Sequence, residues 1–392
     1  MTKWKKITLE ECCHSITDGD HQSMPVSECG VPFIIISNIK NNRIDFEDTR
    51  FVPVEYYDSL DVTRKAQRGD ILYTVKGSFG IPAYVDSDMP FVFQRDIAIL
   101  KCNNRVNSKF LYYIMKSVEF ERLADLLAIG SAQRAITLKT LRGIEILIPE
   151  KSEQDRIVEM LSPYDDLIEN NQKQIKLLEE AAQRLYKEWF VDLRFPGRED
   201  VQIVDGVPEG WRKVTLSGIA DVIMGQSPKS EFYNKDKEGL PFHQGVGSYG
   251  NRFVKDDTYS TSYTRIAEAG SILFSVRAPV GRLNITKNKI VIGRGLSAIN
   301  HKEHLQSFLF YLLKERFFKE DMVGNGSIFA SISKNELLGQ EFIVPSSSLQ
   351  RKFDSIASSI DRQIDNLDTK ISLLTEARDR LLPKLMSGEI EL

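Results

Sequence analysis

Apolar positions in residues 152–190 fall on a heptad. Leu161, Ile168, Ile175, Ala182 and Trp189 occupy one position, and Tyr164, Leu178 and Leu185 lie three residues further on. This spacing predicts the seam of a helix that packs along another helix. Only Asn171 interrupts the second row. Taken from Pro163 to Phe190, such a helix is about 42 Å long at roughly 1.5 Å per residue. A stripe of that length needs a partner, and residues 349–386 repeat the pattern 196 positions later. There the seam reads Ile360, Ile364, Leu367, Ile371, Leu374 and Leu381. Asp165, Asn170, Glu180 and Arg184 recur as Asp361, Asn366, Glu376 and Arg380, while Asn171 becomes Leu367. The two helices are expected to pair with each other, antiparallel.

Outside the helices the chain also repeats. Trp4-Lys5-Lys6-Ile7-Thr8-Leu9 returns as Trp211-Arg212-Lys213-Val214-Thr215-Leu216, and Gly69–Lys76 returns as Gly270–Arg277. Phe110–Lys116 matches Phe308–Lys314, and Glu145–Pro149 matches Glu341–Pro345. A unit near 200 residues, used twice, is a tandem duplication rather than a solenoid. Each copy reads as mixed α/β. The β-rich runs Ile71–Val75 and Ile272–Val276 end in Gly-rich loops, Phe110–Glu121 and Phe308–Phe318 have helical spacing, and Ile144–Ile148 and Glu341–Val344 read as short buried strands. The expected fold class is α+β: two mixed α/β domains in pseudo-two-fold arrangement, separated by two long antiparallel helices forming a coiled-coil spacer. The expected boundaries are 1–150 and 211–345 for the domains, 151–192 and 346–392 for the helical regions, and 193–210 for a linker.

Composition changes this picture little. The chain has 392 residues, 42% hydrophobic and 27% charged, as an ordinary globular protein does. No apolar run is long enough to span a membrane, and MTKWKKITLEE has no secretory h-region, so a cytoplasmic protein is expected. Four cysteines (Cys12, Cys13, Cys29, Cys102) do not make a disulfide scaffold. Net charge is −3, but residues 151–200 are acidic (8 Lys/Arg, 12 Asp/Glu) and residues 201–345 mildly basic (18 against 15). The acidic residues Glu153, Asp155, Glu159, Asp165, Asp166 and Glu169 read as a solvated helix face.

Catalytic signatures are missing. There is no GxxxxGK[ST], HExxH, GxSxG or Asn/Asp-Pro-Pro-aromatic segment. Gly245–Gly250 satisfies GxGxxG by letters but does not open a helix, so it reads as a glycine-rich turn. Cys12, Cys13, His14, His21 and Cys29 fit no zinc spacing, and Ile219, Ala220 and Asp221 stand at the repeat positions of Cys12, Cys13 and His14. These cysteines read as small buried apolar side chains. No catalytic or metal residue is expected in this chain.

Several segments together resemble the specificity subunit of Type I restriction-modification enzymes over essentially the whole chain. They are Asp18-Gly19-Asp20-His21 with Pro25, Gly225-Gln226-Ser227-Pro228 with Tyr233-Asn234, and the two Gly-x-Ile-Leu-aromatic strands. Gly130-Ser131-Ala132-Gln133-Arg134-Ala135-Ile136 and the leads Pro149…Gln154 and Pro345…Gln350 complete the set. The resemblance implies a non-catalytic reader of double-stranded DNA with one domain per half of a bipartite site. It also implies two partner methyltransferase subunits using S-adenosylmethionine, motor-nuclease subunits using ATP and Mg, and no cofactor in this chain. A scaffold or decoy of the same fold that has lost DNA reading is the alternative.

Base readout needs paired donors or acceptors on loops: Arg for guanine, Asn or Gln for adenine. The first domain offers Asp18, Gly19, His21, Gln22, Lys76, Ser78, Phe79, Gln133 and Arg134. The second offers Gln226, Ser227, Lys229, Tyr233, Asn234, Gln244, Arg277 and Arg282, with His243 beside them. Lys76 and Arg277 share a repeat position and read as either phosphate contacts or solvated charges. Arg95 and Arg294 also align, and read as either structural ion-pair partners or DNA contacts.

Overall fold

The computed structural model describes residues 4–22, 24–130, 134–317 and 331–390. It divides into two compact units, Met1–Asn170 with Lys370–Leu392, and Asn171–Thr369. Each unit therefore contains part of both long helices.

The first unit is built on an antiparallel four-stranded sheet in the order Cys13–Asp18, Ile97–Cys102, Ile71–Thr74, Pro82–Tyr84. The second unit repeats it as Ala220–Met224, Leu296–His301, Ile272–Ser275, Leu283–Ile285. The central strands are buried on both faces: Ile71, Leu72 and Tyr73, like Ile272, Leu273 and Phe274, are 0% exposed. A helix covers each sheet, Ser108–Lys116 and Gln306–Phe317. The first is shorter than its helical spacing suggested. Ser117 ends it and, through its hydroxyl, caps the next helix, Val118–Leu127. A parallel pair lies alongside each sheet, Val31–Ile34 with Val92–Phe93 and Leu240–His243 with Ile290–Ile292.

Glu145–Ile148 and Glu341–Val344 are strands, but not fully buried ones. Among the described residues each pairs only with the first strand of its copy, and Leu147 and Ile343 stand about half exposed. The cysteine reading also needs correction. Cys12 is buried, with its thiol pushed up to about 12 by that burial, but Cys29 is exposed and Cys13 and Cys102 are half-buried. Residues 193–210 carry the small hairpin Ile203–Val204 with Val207–Pro208. Phe195 is buried there, 5.4 Å from the Trp211 ring.

The first long helix is Lys151–Tyr186, continued by a π-turn over Lys187–Val191. It begins twelve residues before Pro163, so Pro163 does not start it, and the length is about 54 Å rather than 42 Å. Its start is fixed by Gln154, which is buried and donates to the Pro149 carbonyl at 3.0 Å. Gln350 does the same to Pro345 at 2.8 Å before the second helix, Ser347–Met386. In the first unit Ile157 and Leu161 share a core with Leu382 and Leu385. In the second, Ala182, Tyr186 and Trp189 share one with Phe353 and Ala357. Within each unit the helix segments thus run antiparallel. Ile168, Ile364 and Leu367 are buried, as is Asn171, while Ile175, Leu178, Leu185, Ile360, Ile371, Leu374 and Leu381 are half-buried.

The acidic face of the first helix is solvated only in part: Glu159 and Asp166 are exposed, but the other four acidic residues are engaged. Glu153 accepts from the Trp4 indole at 3.2 Å, Asp155 from Asn107 at 2.7 Å, and Glu169 lies 3.8 Å from Arg43. Asp165 is held by Arg378 at 2.6 Å, Tyr113 at 2.8 Å and Lys116 at 3.6 Å. The face docks the sheet domain onto its helix.

Candidate nucleic-acid interface

Strand register decides which loops meet. In the first unit Ala98 pairs with Asp18 and Ile97 with Thr74, so Asp18–Gln22, Gln94–Asp96 and Lys76–Phe79 leave one end of the sheet. A bridge between Lys76 and Ala135 adds Arg134 to the group. In the second unit Met224 pairs with Ser297 and Ser275 with Leu296, which gathers Gly225–Lys229, Gly293–Gly295 and the loop after Arg277. The parallel pairing of His243 with Ile292 brings Gln244 alongside.

Some candidates are braces rather than free ends. Asp18 pairs with His21 at 2.9 Å, and Arg64 lies 3.9 Å from Asp18 and 3.2 Å from Asp20. The Tyr56 hydroxyl donates to Asp20 at 2.7 Å, and that bond chiefly holds its carboxyl below the usual range. Phe79 packs edge-on against Tyr73 at 6.3 Å, and Arg134 pairs with Asp125 at 2.6 Å. Tyr233 stacks on Phe242 at 4.6 Å and donates to the Pro228 carbonyl. Asn234 closes its own turn through two bonds to the Glu238 backbone. Lys229 lies 3.7 Å from Glu231, both mostly exposed, a pair worth little. The Arg282 amide donates to Ser275 at 2.8 Å.

Other candidates present polar groups at the surface. Gln22, Ser78, Gln226, Gln244 and Arg277 are exposed, and Lys76 is half-buried. Ser227 donates to the Gln244 carbonyl oxygen at 2.7 Å, which leaves the Gln244 amide NH2 as the outward donor. His243 has no exposed side-chain surface. Its ring nitrogens bond Ser248 at 2.7 Å and Asp256 at 2.9 Å, which braces the loop that carries Gln244. Burial pushes the Asp256 carboxyl up, but the bonds from His243 and Asn288 bring it below its ordinary range. Gln133 lies outside the described residues. Sequence reasoning missed Arg64 and Tyr56, whose partners are 44 and 36 residues away in the chain. It also passed over Arg265, exposed beside Ile292, although Thr264-Arg265-Ile266-Ala267 repeats Thr63-Arg64-Lys65-Ala66 and so puts Arg265 at the repeat position of Arg64.

Gly245–Gly250 forms a short 3-10 turn over Val246–Ser248, not a strand-to-helix phosphate loop. Among the described residues no group of three or more His, Cys, Asp or Glu could hold a metal ion, and no helix is long and apolar enough to cross a membrane.

Two copies of one domain, each displaying hydrogen-bonding loops at one sheet end and each carried on long helices, define a tandem recognition protein. The chain belongs to the Type I restriction modification DNA specificity domain family, whose model matches residues 1–180 and again 208–376. It is similar to a Methanocaldococcus jannaschii protein provisionally named as the type I restriction enzyme MjaX specificity subunit, 29% identical over 99% of this chain and 93% of the relative. It is also similar to the type I restriction enzyme HindI specificity subunit of Haemophilus influenzae, 25% identical over the whole of both chains. The fold matches the crystal structure of a Type-I restriction-modification system S subunit from M. genitalium with a TM-score of 0.61, at 19% identity over 98% of this chain and 96% of that one. As a family member it is a non-catalytic specificity subunit whose role is DNA recognition.

Proposed function

We propose that each domain, residues 1–150 and 211–345, reads one half of a bipartite double-stranded DNA site. The long helices set the separation of the halves and dock two methyltransferase subunits. Those partners would bring S-adenosylmethionine and methylate adenine N6, and motor-nuclease subunits would bring ATP and Mg, all in the cytoplasm. One observation carries this reading. The two sheet ends share a backbone but differ in the side chains they display: Gly19 is followed by Asp20-His21-Gln22, and its counterpart Gly225 by Gln226-Ser227-Pro228. A kept frame with changed hydrogen-bonding groups is what two readers of different base sequences need. Gln22, Ser78, Gln226 and Gln244 are the base-reading candidates, and Lys76 and Arg277, at one repeat position, the phosphate contacts.

The test is genome-wide mapping of methylated adenine in a host expressing this chain with its neighbouring methyltransferase. A single bipartite motif, lost when the chain is deleted, is the expected result. Replacing residues 1–150 with another reader domain should change only one half of it. No motif despite a stable complex would sink the reading and favour a scaffold.

A further inference from the structure

The same built turn appears at both sheet ends, and an arginine sits at its tip. In the first unit Gln94-Arg95-Asp96 leads into the strand Ile97–Cys102, and in the second Gly293-Arg294-Gly295 leads into Leu296–His301. Four backbone hydrogen bonds hold each turn, and they correspond one to one. Val75 donates to Asp96 at 2.9 Å, as Val276 does to Gly295 at 2.9 Å. Gly19 donates to Ile97 at 3.3 Å, as Gly225 does to Leu296 at 2.9 Å. Ile97 donates to Gln94 at 3.0 Å, as Leu296 does to Gly293 at 3.0 Å. Gln94 donates to Ile34 at 2.9 Å, as Gly293 does to His243 at 2.8 Å. The turn also rests on a glycine in each copy. A Cβ on Gly19 would lie 2.2 Å from the Phe93 carbonyl oxygen, and one on Gly225 2.1 Å from that of Gly293.

Both arginines are exposed. Among the described residues neither has a carboxylate within ion-pair distance, so the ion-pair reading of Arg95 and Arg294 does not hold. Asp96 is beside Arg95 in the chain, but its carboxylate accepts from the Gln94 amide at 2.9 Å. In the second unit its place is taken by Gly295. A cation on a rigid mount, kept twice without an internal partner, is available to an external anion.

We infer that Arg95 and Arg294 are equivalent backbone-positioning residues, each binding a phosphodiester of its half-site. This goes beyond the contacts given above and rests on the half-site reading. The choice of phosphate over base follows from the duplication. The residues after Gly19 and Gly225 differ, as readers of different bases would, whereas the arginine is the same. What two different DNA sequences share is the sugar-phosphate backbone. The guanidinium fork suits two phosphate oxygens at once.

The experiment uses the full chain assembled with its methyltransferase partner. Affinity is measured between 50 and 200 mM salt on two duplexes, one carrying the mapped methylation motif and one of scrambled sequence. Arg95→Gln and Arg294→Gln should each weaken binding to both duplexes, with the methylation motif unchanged. Each should make the log–log salt slope shallower by about one. Over that salt range the deficit relative to wild type then shrinks about threefold per arginine. Arg95→Lys should keep the wild-type slope. Unchanged affinity and slope, a motif altered at one half, or a slope loss in Arg95→Lys equal to that in Arg95→Gln would each overturn the assignment. Should the wild-type complex give no motif, it is the half-site reading that fails instead.

Discussion

Asp361→Ala is expected to destabilise the second unit by about 3–5 kcal/mol, the usual cost of leaving a buried charge without its partner. Arg252 is 4% exposed, and its guanidinium donates to Asp361 at 2.5 Å while lying 4.4 Å over the Phe310 ring. Ser307 and Tyr311 donate to the same carboxylate at 2.6 and 3.1 Å. Without Asp361 the arginine cannot neutralise by losing its proton, and Glu179, 3.5 Å away, would be its one remaining carboxylate among the described ion pairs. Urea unfolding of the full chain should show one transition moved to lower denaturant and the other in place. The double variant Arg252→Met with Asp361→Leu should recover most of the loss, because an apolar pair of similar volume can replace a buried ion pair. A cost below about 1 kcal/mol for Asp361→Ala would mean that the guanidinium reaches water instead.

Asp165 holds the corresponding place in the first unit. Burial pushes its carboxyl up, and Lys116, Tyr113 and Arg378 together pull it below the ordinary carboxylate range. A carboxyl depressed on folding contributes stability above its unfolded pKa and loses it as pH falls through the folded value. Lys116 is pushed down to about 8, chiefly by the same burial.

These aspartates mark the limit of what the sequence makes legible. That Asp165 recurs as Asp361 is visible, and so are the heptads, the tandem repeat and the Gly-x-Ile-Leu-aromatic strands, because each rests on local spacing. That Asp165 is an anchor is not visible. Its cation Arg378 is 213 residues distant, and the cation of Asp361 is 109 residues distant, with no periodic signal to announce either. Local charge patterning therefore grouped docking residues such as Asp155 and Asp165 with the exposed Glu159 and Asp166 as one solvated face. The same blindness affects the site. Asp18, His21, Tyr233 and Asn234 look like free hydrogen-bonding groups in a loop, and only the folded geometry reveals that they bond partners three to five residues away within their own loops. Pro163 is ambiguous in another way, since it could either start the helix or kink it. A proline favours a helix start, but it is tolerated inside this helix, at the loss of one backbone bond.

Gly225→Ala is expected to remove recognition of the second half-site while leaving the first intact. The new methyl would meet the Gly293 carbonyl oxygen at 2.1 Å, its carbon at 2.8 Å and the Ile292 oxygen at 2.9 Å, all of them backbone. No rotamer relieves contacts made by a Cβ, so the strands must part. Parting them strains the bonds from Gly225 to Leu296 and from Gln226 to Ile292, both 2.9 Å. Overpacking of this kind costs about 1–3 kcal/mol, which the core of the unit can absorb. The reading surface cannot absorb it, since Gln226, Ser227 and Arg294 all hang on this crossing and readout tolerates little displacement. Methylated-adenine mapping should then return a motif whose first half is unchanged and whose second half is degenerate. Gly19→Ala should give the converse, its Cβ meeting the Phe93 oxygen at 2.2 Å. Gly247→Ala is the matched control. Nothing lies within 4 Å of its Cβ position, so stability should stay within about 0.5 kcal/mol and the motif should be unaltered. A Gly225→Ala complex that still methylates the intact bipartite motif would separate base recognition from this turn and move it to the loop around Gln244.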